Sequence, residues 1–141
     1  TQYAVVTDGS LLKRLNGHFS DRTNAYVSRY CDDCHPAVMR FIAESIRRVT
    51  AAGKEISVCG EMAGRPEMTP FFIGLGCSAL SMDPAHIPTI KERIRALSAE
   101  DCEIFARGVL RRRSAESVRE ALADFNAALQ PDAQQSAASA G

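Results

Sequence analysis

The sequence has no excess of charge of either sign, because 17 Lys and Arg residues balance 17 Asp and Glu residues. Proteins that bind nucleic acid or an acidic membrane surface usually carry a basic excess on one segment, so the balance argues against both partners. The apolar runs are far shorter than the ~18 consecutive residues that a membrane-spanning helix needs. The chain also does not open with a basic, apolar and small-residue export signal. We therefore expect a cytoplasmic protein with neither a nucleic-acid nor a membrane partner.

The cysteines do not form the even set that a disulfide framework requires. There are five, at positions 31, 34, 59, 77 and 102. Short secreted chains pair an even number of cysteines, so we expect reduced, intracellular thiols here. A length of 141 residues corresponds to one domain. The first residue is Thr1 rather than Met, and we expect that an upstream part has been removed or omitted.

Strand-like and helix-like patterns alternate along the chain from His35 onward. The expected elements, in chain order, are helix 35–53, strand 54–59, helix 66–74, strand 79–82, a helix from about 86 or 88 to 97, helix 98–112 and helix 114–129. The predicted buried stripes of three helices are Val38, Phe41, Ile42, Ile46 and Val49, then Ile90, Ile94 and Leu97, and finally Val118, Leu122, Phe125 and Leu129. A repeat of strand, loop and helix implies parallel strands joined by crossover helices, which predicts an α/β fold.

Cys59 is the candidate functional residue that this pattern singles out. It ends the β-branched strand in the string Ile56-Ser57-Val58-Cys59-Gly60-Glu61-Met62-Ala63-Gly64, and a glycine-rich turn follows at once. Folds of the α/β class keep their chemistry at the carboxyl ends of strands. The simpler alternative is an inert cysteine that packs as a small apolar residue.

Several motifs, taken in order, resemble those of a known family. They are Asp21-Arg22-Thr23-Asn24, His35-Pro36-Ala37-Val38, Cys59-Gly60-Glu61-Met62-Ala63-Gly64, Gly74-Leu75-Gly76 and Leu80-Ser81-Met82. Together they resemble the carboxyl-terminal, phosphoenolpyruvate-binding part of the phosphoenolpyruvate-utilising enzymes. Within that family they are most similar to enzyme I of the phosphotransferase system, including its nitrogen-related form. The resemblance runs from Asp21 to about Leu97, and both the sugar-transport and the nitrogen-regulatory branches stay open.

The resemblance implies a (β/α)8 TIM barrel, of which this chain would supply the last two strands and helices, followed by carboxyl-terminal helices. A whole barrel takes about 250 residues, more than are present. The implied organisation is a truncated start at 1–34 with an inserted loop at about 7–20, the last β/α units at 35–97, carboxyl-terminal helices at 98–130 and a disordered tail at 131–141.

The resemblance also implies roles for two side chains. When phosphoenolpyruvate gives up its phosphoryl group, the enolate left behind must be protonated on carbon to become pyruvate. A thiol suits this task, since its ordinary pKa of about 8.5 keeps it protonated at neutral pH; the resemblance assigns the role to Cys59. It assigns phosphate binding to Arg22, because a guanidinium holds phosphate oxygens bidentately. Given the inserted loop, Asp8 with Gly9 is the other candidate for the Asp-Arg position. Arg65 stands where the family usually has aspartate.

Further partners follow from the resemblance alone. The parent enzyme would use Mg²⁺, with ligands outside this chain, and would pass the phosphoryl group to a histidine in another domain. A histidine-containing phosphocarrier protein would receive it next, with pyruvate as the other product. The family's domain carries dimer contacts, so a homodimer is expected, and the isolated 141-residue chain should be inactive. The alternative hypothesis is a stand-alone, non-catalytic remnant that acts as a dimerisation or regulatory module.

One competing motif, Cys31-Asp32-Asp33-Cys34-His35, matches the Cys-x-x-Cys-His pattern of c-type haem attachment. An export signal is not evident, and His35 is already explained as the start of a helix. The same cysteines would make half of a zinc site, but no second Cys-x-x-Cys pair exists. We therefore interpret this motif as a coincidence in a loop, and His18 and His86 as solvated loop histidines.

Overall fold

The computed structural model describes residues 32–129. The predictions for the inserted loop at 7–20, for Arg22 and for the tail at 131–141 lie outside the described residues. The helices and strands, in chain order, are α1 (Pro36–Ala51), β1 (Ser57–Cys59), α2 (Thr69–Gly74), β2 (Ala79–Ser81), α3 (Ile87–Arg95), α4 (Ala99–Leu110) and α5 (Ala115–Ala128). Short 3₁₀ turns cover Glu61–Gly64, Pro66–Met68 and Pro84–His86. Within this part of the chain, no helix is long and apolar enough to span a membrane.

Helix α1 begins and ends where local chemistry predicts. The Nδ1 atom of His35 accepts a hydrogen bond of 3.2 Å from the backbone N–H of Ala37, which caps the helix. Pro36 occupies the first turn, where its missing N–H has no intrahelical partner to lose. Gly53 follows the helix with a φ of +67°, a conformation that glycine adopts without strain. The predicted helix 35–53 is thus confirmed.

The buried side of α1 is rotated relative to the predicted stripe. Ile42 and Ile46 are buried as expected, and Met39, which was not predicted, is fully buried. Phe41 is 59% exposed, so its predicted burial is wrong. Met39, Ile42 and Ile46 follow the three- and four-residue spacing of one helix face. Phe41, at about 100° per residue, lies near the opposite side of the helix.

The later helices show the same pattern of correct elements and partly wrong stripes. In α3, Ile90 is buried but Ile94 is 43% exposed, against the prediction. In α5, Val118 and Leu122 are buried as predicted. Only part of each predicted stripe is buried, because each of these helices packs against the core with one face and exposes the other to solvent.

The two strands pair in parallel, as predicted. In register, Ser57 is opposite Ala79, Val58 is opposite Leu80, and Cys59 is opposite Ser81. Strand β1 is shorter than the predicted strand 54–59. At Ile56 the backbone N–H and carbonyl bond to the Ser78 side chain instead of to the backbone of β2. The Ile56 N–H donates to Ser78 Oγ at 3.2 Å, and the Ser78 hydroxyl donates to the Ile56 carbonyl at 2.7 Å. The described residues are therefore α/β, while closure into a barrel stays a prediction.

Helices α2 and α4 form the tightest packing in the described part of the chain. Phe71 and Phe72 of α2 are buried, with ring centroids 5.9 Å apart. A Cβ atom placed on Gly74 would lie 2.0 Å from the carbonyl oxygen of Cys102 and 2.9 Å from the Cβ of Ala106. Real side chains never approach backbone this closely, so Gly74 is required by the contact between the two helices.

The ends of α4 and α5 are stabilised by side chains. Arg40 of α1 donates to the carbonyl oxygens of Leu110 at 3.2 Å and Arg112 at 2.8 Å, which ties α1 to the carboxyl end of α4. Ser114 and Ser117 form a reciprocal capping box at the start of α5. At the start of α4, Ser98 Oγ accepts from the Asp101 N–H at 3.4 Å, as the predicted cap requires.

We predict that Gly74→Ala destabilises the protein by about 3 kcal/mol, because the added methyl group must push α2 away from the backbone of α4. Gly108→Ala is the matched control, since a Cβ at this exposed helical position meets nothing within 4 Å. The control should be neutral or gain about 0.5–1 kcal/mol from higher helix propensity. Denaturant unfolding of the protein measures both values; equal stability of the two variants would contradict the packing described.

Candidate functional site

The candidate site lies at the carboxyl edge of the two-stranded sheet. Cys59 ends β1 and Ser81 ends β2, and the register places these residues directly opposite each other. Parallel strands present their carboxyl ends on one edge, where the following loops meet. The predicted position of Cys59 at a strand tip is confirmed.

One face of the sheet is covered and the other is open. Val58 and Leu80 are half-buried and pack against the helical core. Their neighbours along each strand are exposed, and these are Ser57, Cys59, Ala79 and Ser81. Since side chains alternate between faces along a strand, the Cys59 thiol lies on the open face. Cys59 is therefore not buried within the described part of the chain, while its role in the reaction stays a prediction.

Gly60 directs the chain away from the strand immediately after the thiol. Its φ of +98° and ψ of −169° are rarely accessible to residues with a side chain. The Gly60 carbonyl accepts a hydrogen bond of 3.1 Å from the Ala63 N–H, which opens the Glu61–Gly64 turn. Met62 and Ala63 of that turn are buried, so the loop is anchored to the core beneath it.

A cleft of about 620 Å³ opens between the loop after β1 and the loop after β2. Its lining residues are Gly60, Glu61, Gly64, Arg65, Ser81, Met82, Asp83 and His86. Cys59 itself is not part of the lining, but it precedes Gly60 and pairs with Ser81, so it borders the cleft. Charged and polar groups from both loops therefore surround the edge that carries the thiol.

His86, which was interpreted from the sequence only as a solvated loop histidine, lines the cleft. A Cβ on Gly64 would lie 3.2 Å from Cδ2 of the His86 imidazole, so the ring rests on the backbone of the neighbouring loop. Asp83 places the histidine, because its carboxylate accepts from the Ala85 N–H at 2.8 Å and starts the Pro84–His86 turn. The Asp83-Pro84 pair is a sequence signal for the start of a helical turn that contains His86. The contact of His86 with Gly64 could not be found in this way, because it depends on how two separate loops pack.

Arg65, the other missed cleft residue, is held by an ion pair. Its Nη1 lies 3.1 Å from Oδ2 of Asp33, and the adjacent Asp32 accepts from Arg119 of α5 at 2.7 Å. Asp32 also accepts from the Cys34 N–H at 3.0 Å. These contacts join the segment before α1 to both the cleft loop and α5. Such exposed pairs add little stability, but they fix the direction of the Arg65 side chain.

The remaining described thiols lie in different surroundings from Cys59. Burial raises the pKa of the Cys34 thiol, against a smaller opposing effect of Arg119. Burial likewise raises the pKa of the Cys102 thiol. Cys77 is half-buried and its thiol donates to the Ala79 carbonyl at 3.2 Å. Cys59 is thus the exposed cysteine of residues 32–129.

The competing haem and zinc interpretations gain no support. Cys31 lies outside the described residues, Cys34 is buried, and His35 uses its Nδ1 as a helix cap. Across residues 32–129, no three His, Cys, Asp or Glu side chains stand together as metal ligands. The phosphate-binding role of Arg22 stays a prediction, because Arg22 lies outside the described residues.

The chain belongs to the family of phosphoenolpyruvate-utilising enzymes: residues 19–99 match the family's phosphoenolpyruvate-binding domain. The resemblance predicted from the motifs is thereby confirmed, and the matched region contains the whole cleft.

Among curated proteins, the chain is similar to the phosphoenolpyruvate-protein phosphotransferase of Cupriavidus necator, with 40% identity over 83 residues, 59% of this chain and 14% of that protein. It is 32% identical over 105 residues to multiphosphoryl transfer protein 1 of Escherichia coli, covering 74% of this chain and 13% of the relative. A third relative, named phosphoenolpyruvate-dependent phosphotransferase system, from Salmonella typhimurium, is 34% identical over 105 residues, covering 74% of this chain and 14% of that protein. The chain thus spans about one seventh of the length of these relatives.

Proposed function

We propose that this chain is the phosphoenolpyruvate-binding segment of an enzyme I-like, phosphoenolpyruvate-dependent protein phosphotransferase. The observation that supports this most is the exposed Cys59 thiol, which stands at the carboxyl edge of parallel strands, beside a cleft, in a chain of this family. Enzymes with this kind of α/β fold bind and transform small ligands at the carboxyl edge of the sheet.

Cys59 supplies the proton in the proposed reaction. Transfer of the phosphoryl group breaks the bond between phosphorus and the enol oxygen and leaves the enolate of pyruvate. The enolate electrons then take the proton from Cys59 Sγ, which forms a C–H bond at C3 and leaves a thiolate. Water returns a proton to the sulfur before the next turnover. A positioned acid of this kind contributes about 10²- to 10⁴-fold to a rate.

Arg22 binds the phosphate of phosphoenolpyruvate in this proposal. Its guanidinium stays charged at any working pH and donates two parallel hydrogen bonds to phosphate oxygens. The support is the Asp21-Arg22 string, which lies inside the matched region at 19–99. Asp8 with Gly9 lies outside that region, which favours the placement at Arg22.

We further propose that β1 and β2 are the last two strands of a (β/α)8 barrel. The open face that carries Ser57, Cys59, Ala79 and Ser81 would then line the barrel interior. Both strands are short and have one unpaired edge in residues 32–129, and closure into a barrel would abolish these edges. A barrel would also gather more loops around the cleft at the same end.

The remaining components of the proposed enzyme come from the family resemblance. The phosphoryl group passes to a histidine in another domain and then to a histidine-containing phosphocarrier protein. Magnesium would be held by residues outside this chain and would neutralise negative charge on the substrate. We propose a cytoplasmic homodimer, as the resemblance implies.

We predict that Cys59→Ala, in the complete enzyme, lowers pyruvate formation at least about a hundredfold, because the enolate loses its acid. The fold should be unchanged, since Cys59 is exposed and contributes nothing to the core. Cys77→Ala is the matched control, a second thiol removal close to the same sheet, and should keep most of the activity. Pyruvate release, followed by a coupled assay, measures both; wild-type turnover in Cys59→Ala would exclude it as the proton donor.

We predict that Arg22→Ala weakens the use of phosphoenolpyruvate by about tenfold or more, because one charge-assisted pair to the phosphate is lost. Arg14→Ala, which removes an arginine from the inserted loop, should leave the KM for phosphoenolpyruvate close to that of the wild type. The KM and kcat of both variants decide the matter. If Arg14→Ala shows the loss and Arg22→Ala does not, phosphate binding belongs to the inserted loop.

A further inference from the structure

A second cavity, of about 540 Å³, lies where helix α3, helix α5 and the Pro66–Met68 turn meet. It shares no lining residue with the cleft beside Cys59. Small-molecule sites in proteins commonly enclose about 300–1,000 Å³, so this cavity has the size of such a site. The side chains with polar groups that line it are Glu67, Thr89, Glu92, Arg93 and Asn126.

The Arg93 guanidinium is held in place by Asn126 of α5. Arg93 Nη2 donates a hydrogen bond to Asn126 Oδ1. The amide nitrogen of Asn126 donates in turn to the Leu122 carbonyl at 2.6 Å and to the Glu67 carbonyl at 3.2 Å. Because both amide hydrogens are used in this way, the Asn126 oxygen faces the guanidinium. Arg93 is therefore oriented before a ligand binds, which lowers the entropy cost of binding.

The charge of Arg93 has no anionic partner in the described part of the chain. No carboxylate of residues 32–129 forms an ion pair with it, and its hydrogen bond there is to the neutral amide of Asn126. The Nε atom is buried without a hydrogen-bond partner. Among the same residues Nη1 has no partner either, but it is not buried, so a ligand can reach it. Because a desolvated charge is costly until it is paired, the cavity favours an anionic group at Nη1.

Two carboxylates line the same cavity and bring the opposite charge. Glu67 and Glu92 are exposed, and within residues 32–129 their side chains form no ion pair or hydrogen bond. A ligand that is only an anion would be attracted by Arg93 and repelled by both carboxylates, and a ligand that is only a cation would meet the reverse conflict. A molecule that carries both a carboxylate and an ammonium group matches the two signs of charge.

We propose that this cavity binds a free α-amino acid. The carboxylate of the ligand accepts hydrogen bonds from Arg93 Nη1 and from the hydroxyl of Thr89, which lies one helical turn earlier on the same face of α3. The ammonium group of the ligand is bound by the carboxylates of Glu67 and Glu92, and its side chain occupies the rest of the cavity. Binding is non-covalent and does not depend on proton transfer at Cys59, so it is independent of the proposed function.

The first test measures thermal unfolding of the protein that contains this chain with each of the twenty common L-amino acids, supplied singly. At least one should raise the unfolding midpoint in a saturable way, because a ligand that binds only the folded state stabilises it. The α-hydroxy acid and the amide with the same side chain should each bind at least about tenfold more weakly, since each lacks one of the two charges. The inference is overturned if no amino acid raises the midpoint, or if either analogue binds as tightly as the amino acid.

The second test locates the site by calorimetric titration with the amino acid found in the first. Arg93→Gln should weaken binding by about tenfold or more, and Glu92→Gln by about three- to tenfold. Arg95→Gln is the matched control, because it removes an exposed arginine of the same helix that does not line the cavity. It should leave the dissociation constant unchanged.

Glu92→Gln keeps the second test decisive if Arg93→Gln does not fold. Arg93 contributes a contact between α3 and α5 through Asn126, whereas Glu92 is exposed and has no such contact in residues 32–129. A dissociation constant in Glu92→Gln equal to that of Arg95→Gln would place the amino acid elsewhere and overturn the inference, whatever Arg93→Gln shows.

Discussion

The parallel pairing of β1 with β2 is the constraint on which the candidate site depends. Parallel neighbours need a crossover connection, and the segment 60–78 supplies it through the turn at Glu61–Gly64 and helix α2. Each strand pairs over only three residues, so ladder hydrogen bonds alone would not hold the register. The stability comes from the crossover, because Phe71 and Phe72 are among the most deeply buried side chains. Burial of α2 therefore fixes which strand ends meet, and with them the position of the thiol.

The surrounding helices hold that arrangement in place by different means. Helix α4 approaches α2 so closely at Gly74 that no side chain fits between them, which prevents the crossover from shifting. Helix α1 is tied to the end of α4 by Arg40. The ion pair between Asp33 and Arg65 lies on the surface, where its net contribution is small. This ion pair orients the Arg65 side chain in the cleft without adding much to the free energy of unfolding.

Sequence reasoning was most accurate where the structure depends on neighbouring residues. The ends of α1 follow from the His35 cap and from Gly53, and the place of Cys59 follows from a strand that stops at a glycine turn. Reasoning failed where distant segments meet. Helical periodicity predicts an apolar side but not whether Phe41 or Met39 faces the core, which depends on the partner elements. The positions of His86 over Gly64 and of Arg65 beside Asp33 were likewise beyond prediction, because each joins loops that are far apart in sequence.

Substrate protection tests the central claim, that the edge carrying Cys59 binds phosphoenolpyruvate. The complete enzyme would be alkylated with iodoacetamide at increasing phosphoenolpyruvate concentrations, and the modification of Cys59 and Cys77 would be followed separately by mass spectrometry. Cys77 is the internal reference, since it is half-buried near the other end of the same sheet. The account predicts that phosphoenolpyruvate slows alkylation of Cys59 in a saturable way and leaves Cys77 unaffected. An unchanged rate at Cys59 under saturating substrate would contradict it.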